Sequence, residues 1–140
     1  KIETDTHPGF MTDWQQPFAI LLTQADGISI IHETVYDNRF GYIKDLNFMG
    51  ANIKVFSKCL GELPCRFNGE GQNHSAVISG PTPLFGKNVE VPDLRAGMAH
   101  LTAALIAQGE SIIEGVEEID RGYEKIDERL KNLGADIIRV

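Results

Sequence analysis

The sequence predicts an α/β fold built by duplication, and three observations predict it. A stretch occurs twice: Gly27-Ile28-Ser29-Ile30-Ile31 leads to Asn38-Arg39, and Gly109-Glu110-Ser111-Ile112-Ile113 leads to Asp120-Arg121, with the Arg twelve residues after the Gly each time. Each copy then continues through an apolar-periodic segment to Gly-Ala-x-Ile, at Gly50–Ile53 and Gly134–Ile137, and each is preceded by an Asp (Asp13, Asp93) before a long apolar stripe. Within both copies helical periodicity alternates with short β-rich runs. A repeat of about 80 residues exceeds the roughly 20–50 residues of a solenoid unit, so it reads as a duplicated subdomain, about 1–80 and about 81–140.

In the first copy, residues 1–11 read as a short strand feeding a His-Pro-Gly turn. The first helix is expected over about 13–25, burying Phe18, Leu21, Leu22 and Ala25 at i, i+3, i+4 and i+7. Its start is ambiguous. Thr12 could cap it with Gln15 reaching back, but Pro17 at the first helical position, capped by Gln16, is the easier geometry. Gly27 ends the helix, Ile28–Glu33 is a strand, and Tyr36-Asp37-Asn38 makes a turn. A second helix over 40–49 points Ile43, Leu46 and Met49 inward, Gly50 stops it, and Asn52–Phe56 is a strand.

Residues 57–90 break the pattern with glycines and prolines, leaving short apolar pieces at Cys65–Phe67, Ala76–Ile78 and Val89–Val91 that read as strands joined by hairpins or as a mobile excursion. The second copy resumes with a helix over about 94–108, its stripe formed by Leu94, Met98, Leu101 and Leu105. Its remaining faces are filled with alanine, so it should be buried nearly all round. Ser111–Glu114 is a strand. Asp120 is expected to cap the next helix, with Ile126, Leu130 and Leu133 inward and Asp127 pairing with Lys131 outside. Asp136–Val140 is expected as the last strand.

A formal net charge of −7 argues against extended binding to a nucleic-acid backbone, which needs clustered Lys and Arg. No apolar run approaches the roughly 18 residues of a membrane span, and a signal peptide is not expected from the opening residues. Cys59 and Cys65 lie six apart with His74 nearby. Two Cys and one His do not close a zinc site, and the spacing is not that of a zinc ribbon. They read as reduced loop thiols, with no metal and a cytoplasmic location as the expectation. His7, His32, His74 and His100 show no ligand spacing, and His100 reads as a satisfied core residue.

The positions that carry chemistry are Arg39, Arg95, Arg121, Asp13 and Asp93. Arg39 and Arg121 occupy the same turn in the two copies. Arg95 sits at the start of a helix almost free of charge, where a cation opposes the helix dipole, so another interaction should hold it. Guanidinium groups grip carboxylate and phosphate bidentately and suit a small dianion. Asp13 and Asp93 fit helix capping; beside arginines, a carboxylate is also held ionised and ready to accept a proton.

Four motifs, Thr12-Asp13-x-Gln15-x-x-Phe18, Glu33-Thr34-Val35-Tyr36-Asp37-Asn38-Arg39-Phe40, Asp93-Leu94-Arg95-Ala96 and Asp120-Arg121-Gly122-Tyr123-Glu124-x-Ile126, resemble in order those of the enolpyruvyl transferases that act on UDP-N-acetylglucosamine. The resemblance implies two lobes of βαβαββ-type repeats (an inside-out α/β barrel), of which this chain matches two repeats of the C-terminal lobe. It implies transfer of the enolpyruvyl group of phosphoenolpyruvate to the sugar 3-hydroxyl, releasing phosphate through a tetrahedral intermediate in the making of peptidoglycan precursors.

By that resemblance Asp13 contacts and deprotonates the hydroxyl. Val35 and Tyr36 touch the UDP-sugar, Arg95 and Arg121 bind the phosphoenolpyruvate anion, Arg39 supports them, and Asp93 orients the reacting groups. No cofactor is implied. The N-terminal lobe, with its reactive Cys loop, is an implied partner, and the isolated chain is expected to be inactive and prone to self-association. Three departures stand out: Met11 where Pro is usual, Pro17 inside a helix, and a 57–90 segment longer than the resemblance implies. The shikimate-pathway relative and a non-catalytic anion- or nucleotide-sugar-binding module of the same fold are the alternatives.

Overall fold

A short strand, a helix and a second strand parallel to the first open the chain, and the same unit recurs after residue 87. The computed structural model describes residues 1–140. Its elements are β1 (Ile2–Glu3), α1 (Thr12–Thr23), β2 (Gly27–His32), α2 (Ile43–Met49), β3 (Asn52–Phe56), β4 (Ser75–Gly80), β5 (Asn88–Glu90), α3 (Leu94–Ile106), β6 (Ile112–Glu114), α4 (Val116–Asp120) and α5 (Ile126–Asn132). The first six follow the order βαβαββ. They form a four-stranded sheet in the order β1-β2-β4-β3, with β1 parallel to β2 and β4 antiparallel to both its neighbours. In the second unit β5 pairs parallel with β6 across the α3 connection, as β1 does with β2 across α1. The α/β class read from the sequence holds.

One main core joins the two units. Ala19 and Ile20 of α1, Ile31 of β2, Ile43, Leu46 and Met49 of α2, Ile53 and Ile78 of the sheet, and Ala96, Ala99 and Ala103 of α3 all bury in it. The small side chains of α3 let it lie close to α1, since helix separation follows the size of the residues at the contact. A smaller cluster of Val91, Leu101 and Ile119, flanked by Met98, Ile126 and Leu130, holds α4 and α5 to the other side of α3. Burial of α3 is nearly complete from Ala96 to Ala104, while Arg95 near its start and Leu105 and Ile106 at its end are exposed.

Several elements differ from expectation. Helix α1 starts at Thr12 with Pro17 inside it. Its buried face is Gln15, Gln16, Ala19, Ile20 and Thr23, and Leu21 faces solvent. Polar partners decide this register. Tyr42 donates to Gln15 Oε1 at 3.0 Å, Gln15 Nε2 reaches Glu33 at 3.5 Å, and Gln16 Nε2 reaches the Arg39 carbonyl at 3.4 Å. These contacts offset the backbone hydrogen bond that Pro17 cannot make. Burial, then the negative charge of Glu33, pushes the Tyr42 phenol up, against the pull of Arg39, so it stays a donor.

Cys65–Phe67 is a turn, so of these pieces only Ala76–Ile78, in β4, and Val89 with Glu90, in β5, lie in strands, and Val91 follows just beyond. Asp120 ends α4 instead of capping α5, which follows Lys125 in a left-handed conformation with φ 49°. Asp120 and Asp127 both bind the Arg139 guanidinium, at 2.7 and 3.1 Å, so Asp127 does not pair with Lys131. Leu133 is exposed. Residues 136–140 form no strand. A strand needs a neighbour to satisfy its backbone, and these 140 residues contain no second-unit counterpart of β4.

Candidate active site

The site is built on a carboxylate that takes no part in the expected chemistry. Glu33, immediately after β2, is fully buried. Its Oε1 accepts hydrogen bonds from the Thr4 hydroxyl at 2.8 Å and from the backbone N–H groups of Val35 and Tyr36 at 2.9 and 3.0 Å. Its Oε2 accepts from the Thr12 hydroxyl at 2.9 Å. A buried carboxylate needs such donors, and here they come from the residue after β1, from α1 and from the 33–36 turn. Glu33 therefore fixes the backbone of Val35 and Tyr36 against the start of α1. Sequence reasoning gave it no role; the one available signal is an acidic residue placed directly after an apolar strand.

Thr12 carries the arrangement outward. While donating to Glu33, its oxygen accepts from Arg39 Nε at 3.2 Å. The Arg39 side chain is 5% exposed, and its Nη2 lies 2.5 Å from Oδ1 of Asp13, which is 66% exposed. Arg95 Nε approaches the same oxygen at 3.3 Å. Both guanidinium carbons stand over the Tyr36 ring, at 4.8 Å for Arg39 and 5.4 Å for Arg95, within cation–π range. Asp13, Tyr36, Arg39 and Arg95 thus converge from α1, the turn after β2 and the start of α3.

Asp93 stands next to this group as the N-cap of α3, accepting from the N–H groups of Arg95 and Ala96 at 2.8 and 2.9 Å. It fixes the helix end from which Arg95 projects. Arg121 is not on Asp13. It is 70% exposed and paired with Glu118 at 2.8 Å. Its segment nevertheless abuts the same helix end, because a Cβ on Gly122 would lie 2.5 Å from Leu94 Cδ1. Val35 lines a pocket of about 450 Å³ together with Asp5, Thr6, Thr34, Pro64, Cys65 and Arg66. Arg66 donates to the Val35 carbonyl from the 57–74 loop.

The histidines show no ligand spacing along the chain, but the fold brings two of them together with both cysteines. His32, Cys59, Cys65 and His74 present ligand atoms that all lie within 4.8 Å of one another. His100, by contrast, is a satisfied core residue, bonded to the Ala96 carbonyl and to Asp45, each at 2.8 Å.

With the geometry in place, comparison with known proteins decides the family. The family model described as EPSP synthase (3-phosphoshikimate 1-carboxyvinyltransferase) matches residues 1–130. The chain belongs to the enolpyruvyl transferase family. Among enolpyruvyl transferases it is similar to a protein of Protochlamydia amoebophila named UDP-N-acetylglucosamine 1-carboxyvinyltransferase, with 57% identity over 97% of this chain and 29% of that one. The protein of the same name from Chlamydia trachomatis serovar D is 54% identical over 98% of this chain and 31% of its own length. Among solved structures, the enolpyruvyl transferase NikO from Streptomyces tendae superposes with a TM-score of 0.80 at 28% identity, over 99% of this chain and 29% of that one. The chain spans about 30% of the length of these enolpyruvyl transferases.

Proposed function

We propose that this chain is part of the C-terminal lobe of an enzyme that transfers the enolpyruvyl group of phosphoenolpyruvate to the 3-hydroxyl of UDP-N-acetylglucosamine. The observation that carries the reading is the pairing of one exposed carboxylate, Asp13, with two guanidinium groups from different elements. Asp13 is the proton acceptor for the sugar hydroxyl, with Arg39 holding it in place. Arg95 is half exposed and can turn to the anionic substrate, as can Arg121 from the neighbouring segment. Fixed positive donors at the reacting centre stabilise charge that develops during transfer. Glu33 sets the Val35–Tyr36 backbone against the nucleotide sugar, and Asp93 sets Arg95. The names borne by the chlamydial relatives support the UDP-sugar over shikimate 3-phosphate as acceptor.

The remaining lobe supplies the other half of the site and the closure that excludes water, so the isolated chain is inactive. The test is phosphate release by the intact enzyme, given phosphoenolpyruvate and each acceptor in turn. Turnover with UDP-N-acetylglucosamine and none with shikimate 3-phosphate is the expected result. The reverse preference overturns the acceptor assignment, and turnover with neither favours a binding module.

A further inference from the structure

We propose that His32, Cys59, Cys65 and His74 form a structural zinc site that staples the 57–74 loop to the end of the sheet. The four residues come together because three strands end there. His32 closes β2 and pairs across with Ser75 of β4, Phe56 closes β3 opposite the same Ser75, and His74 directly precedes it. The His74 N–H donates to the Phe56 carbonyl at 3.0 Å, and the His74 carbonyl accepts from the Glu33 N–H at 2.8 Å. Between β3 and β4 the loop carries both cysteines back over this edge, where the Leu60 N–H donates to the Ser75 hydroxyl at 3.1 Å.

Both histidines are set up as metal ligands. His32 is fully buried, and its Nδ1 faces Glu3 Oε2 at 3.2 Å. A carboxylate only accepts, so Nδ1 donates to it, and the neutral form of the ring presents its lone pair at Nε2. That Nε2 is buried with no hydrogen-bond partner in the protein. His74, 1% exposed, has Nδ1 at 2.8 Å from the Gln72 carbonyl, which leaves Nε2 to accept from the Cys59 thiol, 3.2 Å away. An Nδ1–H tied to a carboxylate or a carbonyl is the usual support of a zinc-bound imidazole. Two thiolates and two imidazole nitrogens are a closed tetrahedral donor set of the structural kind, with no open position for chemistry. A bound dication deprotonates both sulfurs.

Glu3 is shaped for the supporting role. The Oε2 that faces His32 also accepts from the Glu62 and Leu63 N–H groups at 2.7 and 2.8 Å, and Lys1 Nζ lies 3.2 Å from Oε1. Gly61 lets the loop cross this pair, since a Cβ there would fall 2.0 Å from His32 Nδ1 and 2.2 Å from Glu3 Oε2. Loop, carboxylate and imidazole are therefore fitted to one another around the orphaned nitrogen. The site also fixes the wall of the Val35 pocket, to which Cys65 and Arg66 contribute.

The test uses the intact protein, purified under reducing conditions without chelator, and does not depend on its activity. One zinc per chain by elemental analysis is expected, released when an organomercurial titrates the thiols. Exchange with Co²⁺ should give the d–d bands of a tetrahedral site and thiolate charge-transfer absorption. Cys59→Ser and His74→Asn should bind no zinc, and Glu3→Gln should weaken binding about 10–100-fold in competition with a chelator. Should the serine variant fail to fold, the Co²⁺ spectrum of the unaltered protein decides. A folded protein that takes up neither Zn²⁺ nor Co²⁺ overturns the proposal. So do a Cys59–Cys65 disulfide under reducing conditions and zinc retained by both ligand variants.

Discussion

The guanidinium of Arg39, almost wholly buried, reaches from the turn after β2 to the exposed carboxylate of Asp13 on α1, 2.5 Å away. The same guanidinium is braced by Thr12, which is braced in turn by Glu33. Position therefore passes from a buried carboxylate to an exposed one through two side chains. Replacing Arg39 with Lys keeps the charge but loses one of the two directed contacts. A hydrogen bond to a charged group contributes about 1.5–3 kcal/mol, so kcat/KM of the intact enzyme should fall roughly ten- to a hundred-fold. Steady-state kinetics of R39K checks this; unchanged kcat/KM would show that Asp13 needs no such brace.

Glu33→Gln tests the inner end of the same chain. The amide replaces one acceptor oxygen with a donor that faces other donors, either the Val35 and Tyr36 N–H groups or the Thr12 hydroxyl. Leaving buried groups unpaired costs about 1–3 kcal/mol. Denaturant unfolding should show that loss, and KM for the UDP-sugar should rise more than KM for phosphoenolpyruvate, because it is the Val35–Tyr36 backbone that shifts. Equal rises in both would argue against a local effect.

The acid limb of stability carries a contribution from Glu3. Its folded pKa is lowered from 4.5 to about 2, so the unfolded chain binds its proton first. The stabilisation is complete above the ordinary value and fades as pH falls through the folded one. With chelator present, the Tm gap between the unaltered protein and Glu3→Gln should be constant above about pH 5 and should close as pH falls toward about 2. A gap that widens with acid would reverse the sign of the account.

Exposed apolar side chains gather near the C-terminal end of α3. Leu105 and Ile106 are exposed there, as are Phe85 and Ile112, and the backbone joins Phe85 to Gln108 in an isolated bridge. Apolar surface left uncovered favours association. The isolated 140-residue chain should sediment as a dimer or larger, and Leu105→Glu with Ile106→Glu should shift it to monomer. A monomeric unaltered chain at high concentration would contradict this.

Much of the first unit was legible because its signals are local. Gly50 closes α2 in a left-handed conformation, Ile43, Leu46 and Met49 repeat at helical spacing, and Asn52–Phe56 is the strand expected. The face of α1 was not legible, because Gln15 and Gln16 are buried by partners 18 to 27 residues away that no local pattern reveals. Asp93 read correctly as a cap and Asp120 did not, since the pull of Arg139 on Asp120 lies outside any window around it. Tyr36, Arg39, Arg95 and Asp13 were legible as a set through the resemblance, while Glu33 was passed over. The four metal-ligand atoms were hidden because His32 stands on β2 and the others flank the long loop, so that only the closing of the sheet unites them.

The central claim is that Asp13 takes the proton from the acceptor hydroxyl. The direct measurement is kcat of Asp13→Asn in the intact enzyme, followed by phosphate release with phosphoenolpyruvate and UDP-N-acetylglucosamine saturating. Asparagine cannot accept the proton, so kcat should fall by roughly 10²–10⁴-fold while the fold and the binding of phosphoenolpyruvate are retained. A kcat within a few-fold of the unaltered enzyme would contradict the account.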